Sequence, residues 1–193
     1  MITQLNGRLV SKSPTTLVVD CSGVGYEVHI SLHTYGQLSD DEHIRIYTHL
    51  QVREDAHTLY GFMEEVERSV FRLLISVSGI GANTARTMLS SMSPQEVIQA
   101  IQTDNVAAIQ AIKGIGAKTA QRVIVDLGDK VMQLAGVDEI SVPSNNTQRD
   151  EALSALSVLG YPTKQTQKVV DTLLQVEPSM SVERLIKNAL NKL

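Results

Sequence analysis

Two heptapeptides hold the residues whose types and spacing could do chemistry. Residues 79–85 read GIGANTA and residues 114–120 read GIGAKTA, a repeat offset by 35 residues and differing at one position. A Gly-apolar-Gly turn lets the backbone take conformations closed to residues with a Cβ, while the central Ile80 or Ile115 anchors the turn between its flanking helices. The main-chain amides that follow then face outward at the start of the next helix. Unpaired N–H groups in that position, aligned with the helix dipole, favour a phosphate. Contacts of this kind read the sugar-phosphate rail and leave the bases unread. Lys118 and Arg122, four apart and so on one helical face, supply charge that amides lack. The candidate phosphate-binding residues are therefore Gly79, Ile80, Gly81, Asn83, Thr84 and Arg86 in the first copy. In the second copy they are Gly114, Ile115, Gly116, Lys118, Thr119 and Arg122. One copy alone reads equally well as a C-cap glycine and a tight turn in a helical bundle. Two near-identical copies favour binding to a nucleic-acid backbone.

Other chemistries fit less well. GIGAKT imitates a P-loop, but that pattern needs Gly where Ala117 and Ile112 stand, so no ATPase is expected. No dinucleotide fingerprint is completed either, since Val28, Thr84 and Thr119 occupy its third glycine positions. The histidines His29, His33, His43, His49 and His57 lie in the strand-rich region without HExxH or cysteine partners, so neither a zinc site nor any other cofactor is expected. A second hypothesis is an enzyme, a DNA glycosylase or nuclease that docks through the repeat, with Asp126 or Asp129 as its acid. Zero Trp, 2 Phe and 5 Tyr leave little with which to build a base-flipping pocket.

The elements that must position the repeat change type along the chain. Up to about residue 63, ITQLNGRLV, TTLVVD, GYEVHIS, HIRIYTHLQV and HTLYGF alternate or cluster β-branched and aromatic residues between turn signals. With no helix expected between them, a small antiparallel barrel of the OB or a related type follows. From Glu64 the period is helical: Val66, Val70, Phe71, Leu74 and Ile75 form one apolar face. Ser93, Pro94 and Glu96 predict an N-cap, a first-turn proline and a capping box, and Thr103 or Asp104 is expected to cap the next helix. Residues 135–148, AGVDEISVPSNNTQ, lose the period and read as a flexible linker. Three amphipathic helices follow, through Leu153, Leu156 and Leu159, then Val169, Val170, Leu173 and Leu174, then Val182, Leu185, Ile186, Ala189 and Leu190.

Composition sets the outer bounds. The chain has 193 residues, 42% hydrophobic and 20% charged, which excludes a disordered, collagen-like or disulfide-scaffold protein. No apolar run approaches a membrane span. The opening MITQLNGRLVSK lacks an apolar core behind a basic stretch, and Cys21 is the one cysteine, so a cytoplasmic location is expected. With 17 basic and 21 acidic residues the formal charge is −4, unlike a simple duplex binder. Yet no acid lies between Glu67 and Glu96, or between Asp104 and Asp126. Both copies of the repeat fall in these locally basic windows.

Taken in order, SGVGYEVHI at 22–30, THLQVREDAHTLYGF at 48–62, the two hairpins, GIGAKTAQRVIVDL at 114–127 and ALSVLGY at 155–161 resemble the RuvA family along essentially the whole chain. These are the Holliday-junction-binding subunits of the bacterial branch-migration complex. The resemblance implies a multidomain α+β chain: an N-terminal OB-fold barrel (1–63), a tandem helix-hairpin-helix DNA-binding domain (64–134), a flexible linker (135–148) and a C-terminal three-helix domain (149–193). The Leu-Gly-Tyr turn of that last domain resembles the loop of ubiquitin-associated (UBA-like) domains. It further implies a non-catalytic homotetramer, with an octamer sandwiching the DNA as a second form. The partners it implies are four-way junction DNA, the hexameric ATPase RuvB and, in a shared complex, the resolvase RuvC. Glu54 and Asp55 match the family's acidic pin, beside Arg53. Without the family they read as a solvated β-turn. Leu156, Leu159, Tyr161 and Leu190 match its motor-binding positions, although a three-helix core also needs such residues. One departure stands in the first hairpin, where Asn83 replaces the Lys that relatives often carry; either this copy contributes amide contacts with less charge, or Arg86 substitutes from the next turn.

Overall fold

The computed structural model describes residues 1–39, 41–135, 146–177 and 180–193. Its contacts divide the chain into two compact units, Met1–Glu139 and Ile140–Leu193.

The first unit opens with β1 (Gln4–Lys12), β2 (Thr16–Cys21), β3 (Val24–Ile30), α1 (Leu32–Gln37), β4 (His43–Val52) and β5 (His57–Phe62). The strands close into a barrel in the order β1-β2-β3-β5-β4, with β4 returning to β1. Alternation explains which side chains fill it, since successive residues of a strand face opposite ways. Leu17 and Val19 of β2, Val28 and Ile30 of β3, and Ile44 and Ile46 of β4 point inward with Leu5 and Leu59. Two features depart from the sequence expectation of a purely antiparallel barrel. The pair β3–β5 is parallel, with Val28 opposite Leu59 and Ile30 opposite Gly61. The short helix α1 fills the connection from β3 to β4, its first turn capped by Ser31, whose side chain accepts the Thr34 N–H. At Gly7 a close approach to Asp20 of β2 leaves no room for a side chain: a Cβ there would lie 2.2 Å from the Asp20 carbonyl oxygen.

The rest of this unit is helical: α2 (Glu65–Ser76), α3 (Ala82–Ser91), α4 (Pro94–Gln102), α5 (Val106–Gln110) and α6 (Ala117–Ala135). The predicted capping box opens α4, where Ser93 Oγ accepts the Glu96 N–H and Glu96 accepts the Ser93 N–H at 2.7 Å. Those bonds hold the Glu96 carboxyl below its ordinary range. The next cap differs from expectation. Asn105, not Thr103 or Asp104, accepts the Ala108 N–H, and Asp104 takes a φ of +52° in the turn before it.

The change of secondary structure at residue 63 is not a break in packing. Tyr60 and Phe62 of β5 lie 5.1 and 5.0 Å from Phe71 of α2, ring to ring, inside the same core as Leu74, Met88, Leu89, Val97, Ile101 and Leu127. The end of β5 therefore packs into the helical core, while the barrel interior around Val19, Val28 and Ile46 forms a cluster of its own.

The second unit contains α7 (Asn146–Val158), α8 (Thr163–Val176) and α9 (Val182–Leu190). Its core is Ala152, Leu156, Val170, Leu173, Met180, Leu185 and Ala189. Arg149 of α7 reaches Asp171 of α8 with two nitrogens, at 2.6 and 3.2 Å. Of the expected linker, Ala135 ends α6 and Asn146 begins α7, while 136–145 lie outside the described residues.

Two glycine substitutions should move stability in opposite directions. Gly7→Ala drives a methyl into the Asp20 carbonyl and is expected to cost about 1–3 kcal/mol. Gly128→Ala fills open space on α6 and should stabilise by about 0.5–1 kcal/mol. Urea unfolding of both proteins checks the pair.

Candidate nucleic-acid interface

The two copies of the repeat fold alike. Val77–Ile80 and Ile112–Ile115 are four-residue turns closed by Ile80 N–H to Val77 O and Ile115 N–H to Ile112 O, each at 3.1 Å. The third residue of each has a positive φ, +97° at Gly79 and +92° at Gly114, as such a turn demands of a glycine. Ile80 and Ile115 are buried in the helical core. Their amides close the turns and their side chains anchor them, so within the candidate set these two residues are internal supports.

The second glycine of each copy has another role. Gly81 is the N-cap of α3, with φ −86°, an ordinary value for any residue, and no side chain to cap the helix. Gly116 stands likewise before α6, its carbonyl accepting the Ala120 N–H at 2.9 Å as the Gly81 carbonyl accepts the Ala85 N–H. A helix leaves its first amides without intrahelical partners. Here those are Ala82, Asn83 and Thr84 in α3, and Ala117, Lys118 and Thr119 in α6. Neither helix carries an acid in its first turn. A Cβ at Gly81 or Gly116 would meet nothing within 4 Å. Neither packing nor backbone conformation explains the glycine at 81.

The turns sit side by side. A Cβ at Gly79 would lie 3.7 Å from Thr119 Oγ1, and Arg122 Nη1 donates to the Ser78 carbonyl at 3.2 Å. The second copy's helix thus supports the first copy's turn. Lys113, Lys118, Arg122 and Asn83 are exposed, and Thr84 and Thr119 are half-buried. Lys113 and Lys118 form no ion pair among the described residues.

Asn83 and Arg86 are drawn toward the barrel. The Tyr60 hydroxyl donates to Asn83 Oδ1 at 3.5 Å. Arg86 Nη1 lies 3.3 Å from the Thr15 carbonyl oxygen and 3.4 Å from His29 Nδ1. Arg86 thus ties α3 to the barrel.

The pin residues occupy the β4–β5 hairpin, closed by Arg53 N–H to the Ala56 carbonyl at 2.9 Å. Glu54 and Asp55 are exposed there and make no ion pair among the described residues. In the second unit, Leu156 is 0% exposed and belongs to the core, so the motor-contact role expected of its side chain is corrected: α7 turns it inward. Leu159, Tyr161 and Leu190 are exposed, as are Val158 and Val176, which the sequence reading did not select. Among the described residues no three His, Cys, Asp or Glu side chains gather as metal ligands. No described helix is long and apolar enough to cross a membrane.

Two further polar residues join α2 to the barrel. Arg68 donates to the Thr3 carbonyl at 2.7 Å, pairs with Glu65 and lies 5.1 Å from the Tyr47 ring centroid. Glu67 is fully buried and accepts hydrogen bonds from Ser31 and Thr34. Its signal in the sequence is an acid three and four residues before Val70 and Phe71, on the apolar face of α2.

Comparison with known proteins places these features in one family. Residues 1–61 match the RuvA N-terminal domain model, 71–129 a SAM-like helix-hairpin-helix tandem, and 147–193 the RuvA C-terminal domain model. A protein of Christiangramia forsetii named Holliday junction branch migration complex subunit RuvA is 56% identical over 193 residues, covering 100% of both chains. The chain belongs to the RuvA family. Proteins of the same name from Flavobacterium psychrophilum and Cytophaga hutchinsonii are 54% and 47% identical, over 100% and 98% of each chain. The tandem model spans both glycine turns, and the RuvA C-terminal model spans α7 to α9. The architecture of the family, an OB barrel, a hairpin tandem and a C-terminal helical unit, is the architecture observed.

Burial pushes the Glu67 carboxyl above its ordinary value of 4.5, against the Ser31 and Thr34 hydrogen bonds that favour ionisation. The native state therefore holds this proton more tightly than the unfolded chain. Its contribution to stability is full below the ordinary value and is lost as pH rises through the raised one. Glu67→Gln should flatten that part of the stability profile, measured by urea unfolding across acid to neutral pH. An unchanged profile would remove Glu67 as its source.

Proposed function

We propose that this chain is a non-catalytic, structure-selective binder of four-way junction DNA that holds the junction open and recruits the ATPase motor RuvB for branch migration in recombination and repair. The observation that carries the reading is the pair of adjacent helix starts, each capped by a glycine and each offering main-chain N–H groups outward. The names of the relatives, branch migration complex subunits, support it.

The chemistry follows from these parts. Amides and a helix dipole bind phosphate without consulting base sequence, as a junction-binding protein requires. Lys118 and Arg122 add the charge that makes the contact depend on salt. One such site is weak. Four copies in a homotetramer, matched to the four arms of an open junction, gain by effective concentration. Glu54 and Asp55 on their exposed hairpin act by the opposite sign: carboxylates near the crossing point repel phosphates and guide strands as they separate and re-pair. Thr15, His29 and Tyr60 hold Arg86 and Asn83, which act as supports for the first hairpin.

The helical unit at 149–193 recruits the motor through exposed apolar residues, Leu159, Tyr161 and Leu190. The barrel at 1–63 carries the pin, and 64–134 carries the DNA contacts. Assembly as a tetramer or octamer, a shared complex with RuvC and a cytoplasmic location complete the proposal.

The test compares affinity for a four-way junction with that for a duplex of equal length. Wild type should prefer the junction, with little sequence preference and a steep salt dependence. Gly81→Ala with Gly116→Ala should weaken junction binding by about tenfold or more while stability stays within about 0.5 kcal/mol. Equal affinity for both DNAs, or an unaffected double variant, would overturn the reading. Lys118→Ala should lower affinity for all sequences alike and reduce the salt slope by about one. Glu54→Gln with Asp55→Asn should leave duplex binding in place, narrow the preference for the junction and alter branch migration by the assembled complex; wild-type branch migration would refute the role given to the acids.

A further inference from the structure

The helix α1 lies between the element that leads to the acidic hairpin and the elements that hold the first glycine turn. It precedes β4, whose far end carries Glu54 and Asp55. It also touches both helices that flank the first turn. Toward α3, the Leu32 N–H donates to Ser90 Oγ at 3.1 Å, and Ser90 Oγ donates to the Arg86 carbonyl at 2.8 Å. Toward α2, the Ser31 hydroxyl donates to Glu67 Oε1 at 2.5 Å and the Thr34 hydroxyl donates to Glu67 Oε2 at 2.6 Å. Ser31, Thr34 and Glu67 are all buried, at 1%, 0% and 0% exposure. Both carboxylate oxygens are thus engaged by hydroxyls of a single helical turn.

A leucine at position 67 would extend the apolar face made by Val70, Phe71 and Leu74. Replacing a buried polar pair by packed hydrophobic side chains is often neutral or stabilising, so cohesion alone does not explain an acid here. Direction does. An apolar contact tolerates sliding and rotation, whereas two short hydrogen bonds to two fixed hydroxyls are satisfied at one separation and one angle. The joint links α1, which in the chain precedes the strand leading to the carboxylate hairpin, to α2, which leads into the first glycine turn. A small rotation there displaces one functional feature relative to the other.

We infer that Glu67 is a positioning residue: held by Ser31 and Thr34, it sets the angle of the hairpin helices on the barrel and thereby the spacing between phosphate-binding amides and the Glu54–Asp55 turn on which junction selectivity depends. This rests on the function proposed above, and the experiment separates the two. Duplex binding uses the amides and the cations beside them, without the acids. Junction selectivity needs amides and acids at the correct spacing.

The affinities of full-length wild type, Glu67→Ala, Glu67→Gln and Thr34→Val are measured on a four-way junction and on duplex of equal length, below the unfolding transition of each protein. For Glu67→Ala and Thr34→Val the junction-to-duplex ratio is expected to fall about tenfold, with duplex affinity within about twofold of wild type. Glu67→Gln, which keeps an acceptor and the side-chain length, is expected to retain most of the ratio. If Glu67→Ala fails to fold, Thr34→Val decides, because it keeps shape and removes one hydroxyl. A wild-type ratio in the folded variants overturns the inference, and so does a proportional loss on both DNAs, the signature of a merely structural role. A wild type without junction preference overturns instead the function on which the inference rests.

Discussion

A helix start whose capping residue has no side chain must find its hydrogen-bond acceptor outside the chain. Four other helices are capped by a side chain: Ser31, Ser93, Asn105 and Ser181 each accept a first-turn N–H at α1, α4, α5 and α9. The helix α2 has no such cap but carries Glu65 and Glu67 in its first turn, which answer the positive end of the dipole. At α3 and α6, as at α8 behind Pro162, there is neither a side-chain cap nor a first-turn acid, and α3 and α6 differ from α8 in following a Gly-Ile-Gly turn. Everything around those two sites works to keep them rigid and open. The positive-φ glycines bend the chain, Ile80 and Ile115 pin the bends to the core, and Arg122 ties one turn to the other helix.

That arrangement reconciles an acidic protein with a polyanionic ligand. The formal charge of −4 describes the whole chain, while affinity for phosphate is set within a Debye length of the contact. Lys113, Lys118 and Arg122 are the nearby charges, and the chain has no acid from Asn105 through Val125. Glu54 and Asp55, to which the proposed function gives the repulsive role, are presented by the barrel at an exposed hairpin. Attraction and repulsion therefore come from separate elements of one unit, and their spacing depends on the polar joints and aromatic packing that connect barrel to helices.

What the sequence made legible was whatever repeats or alternates locally. The repeat at 79–85 and 114–120 was visible because six of seven residues recur, and the turns and helix starts followed from it. Strands, apolar helix faces and the Ser93–Glu96 box were legible for the same reason. What escaped depends on distant partners or on competition between near-equal local choices. The parallel pairing of β3 with β5 is a long-range register that no window contains. Helix α1 is too short to show a period. Asn105 displaced Thr103 and Asp104 as a cap because the turn put Asp104 at positive φ. Leu156 and Leu159 differ by three positions, yet one is core and the other 57% exposed, because Leu156 lies within α7 and Leu159 lies past its end, in the turn before Gly160. Arg86 could face solvent or the barrel, and the Thr15 carbonyl decided it.

The most direct measurement is residue-resolved amide hydrogen exchange of the full-length protein, free and saturated with a four-way junction. The account predicts that protection on binding concentrates at the amides of 81–84 and 116–119, while the Ile80 and Ile115 amides, already bonded within the turns, change little. A saturated complex in which the amides at both helix starts exchange as freely as in the unbound protein would contradict it.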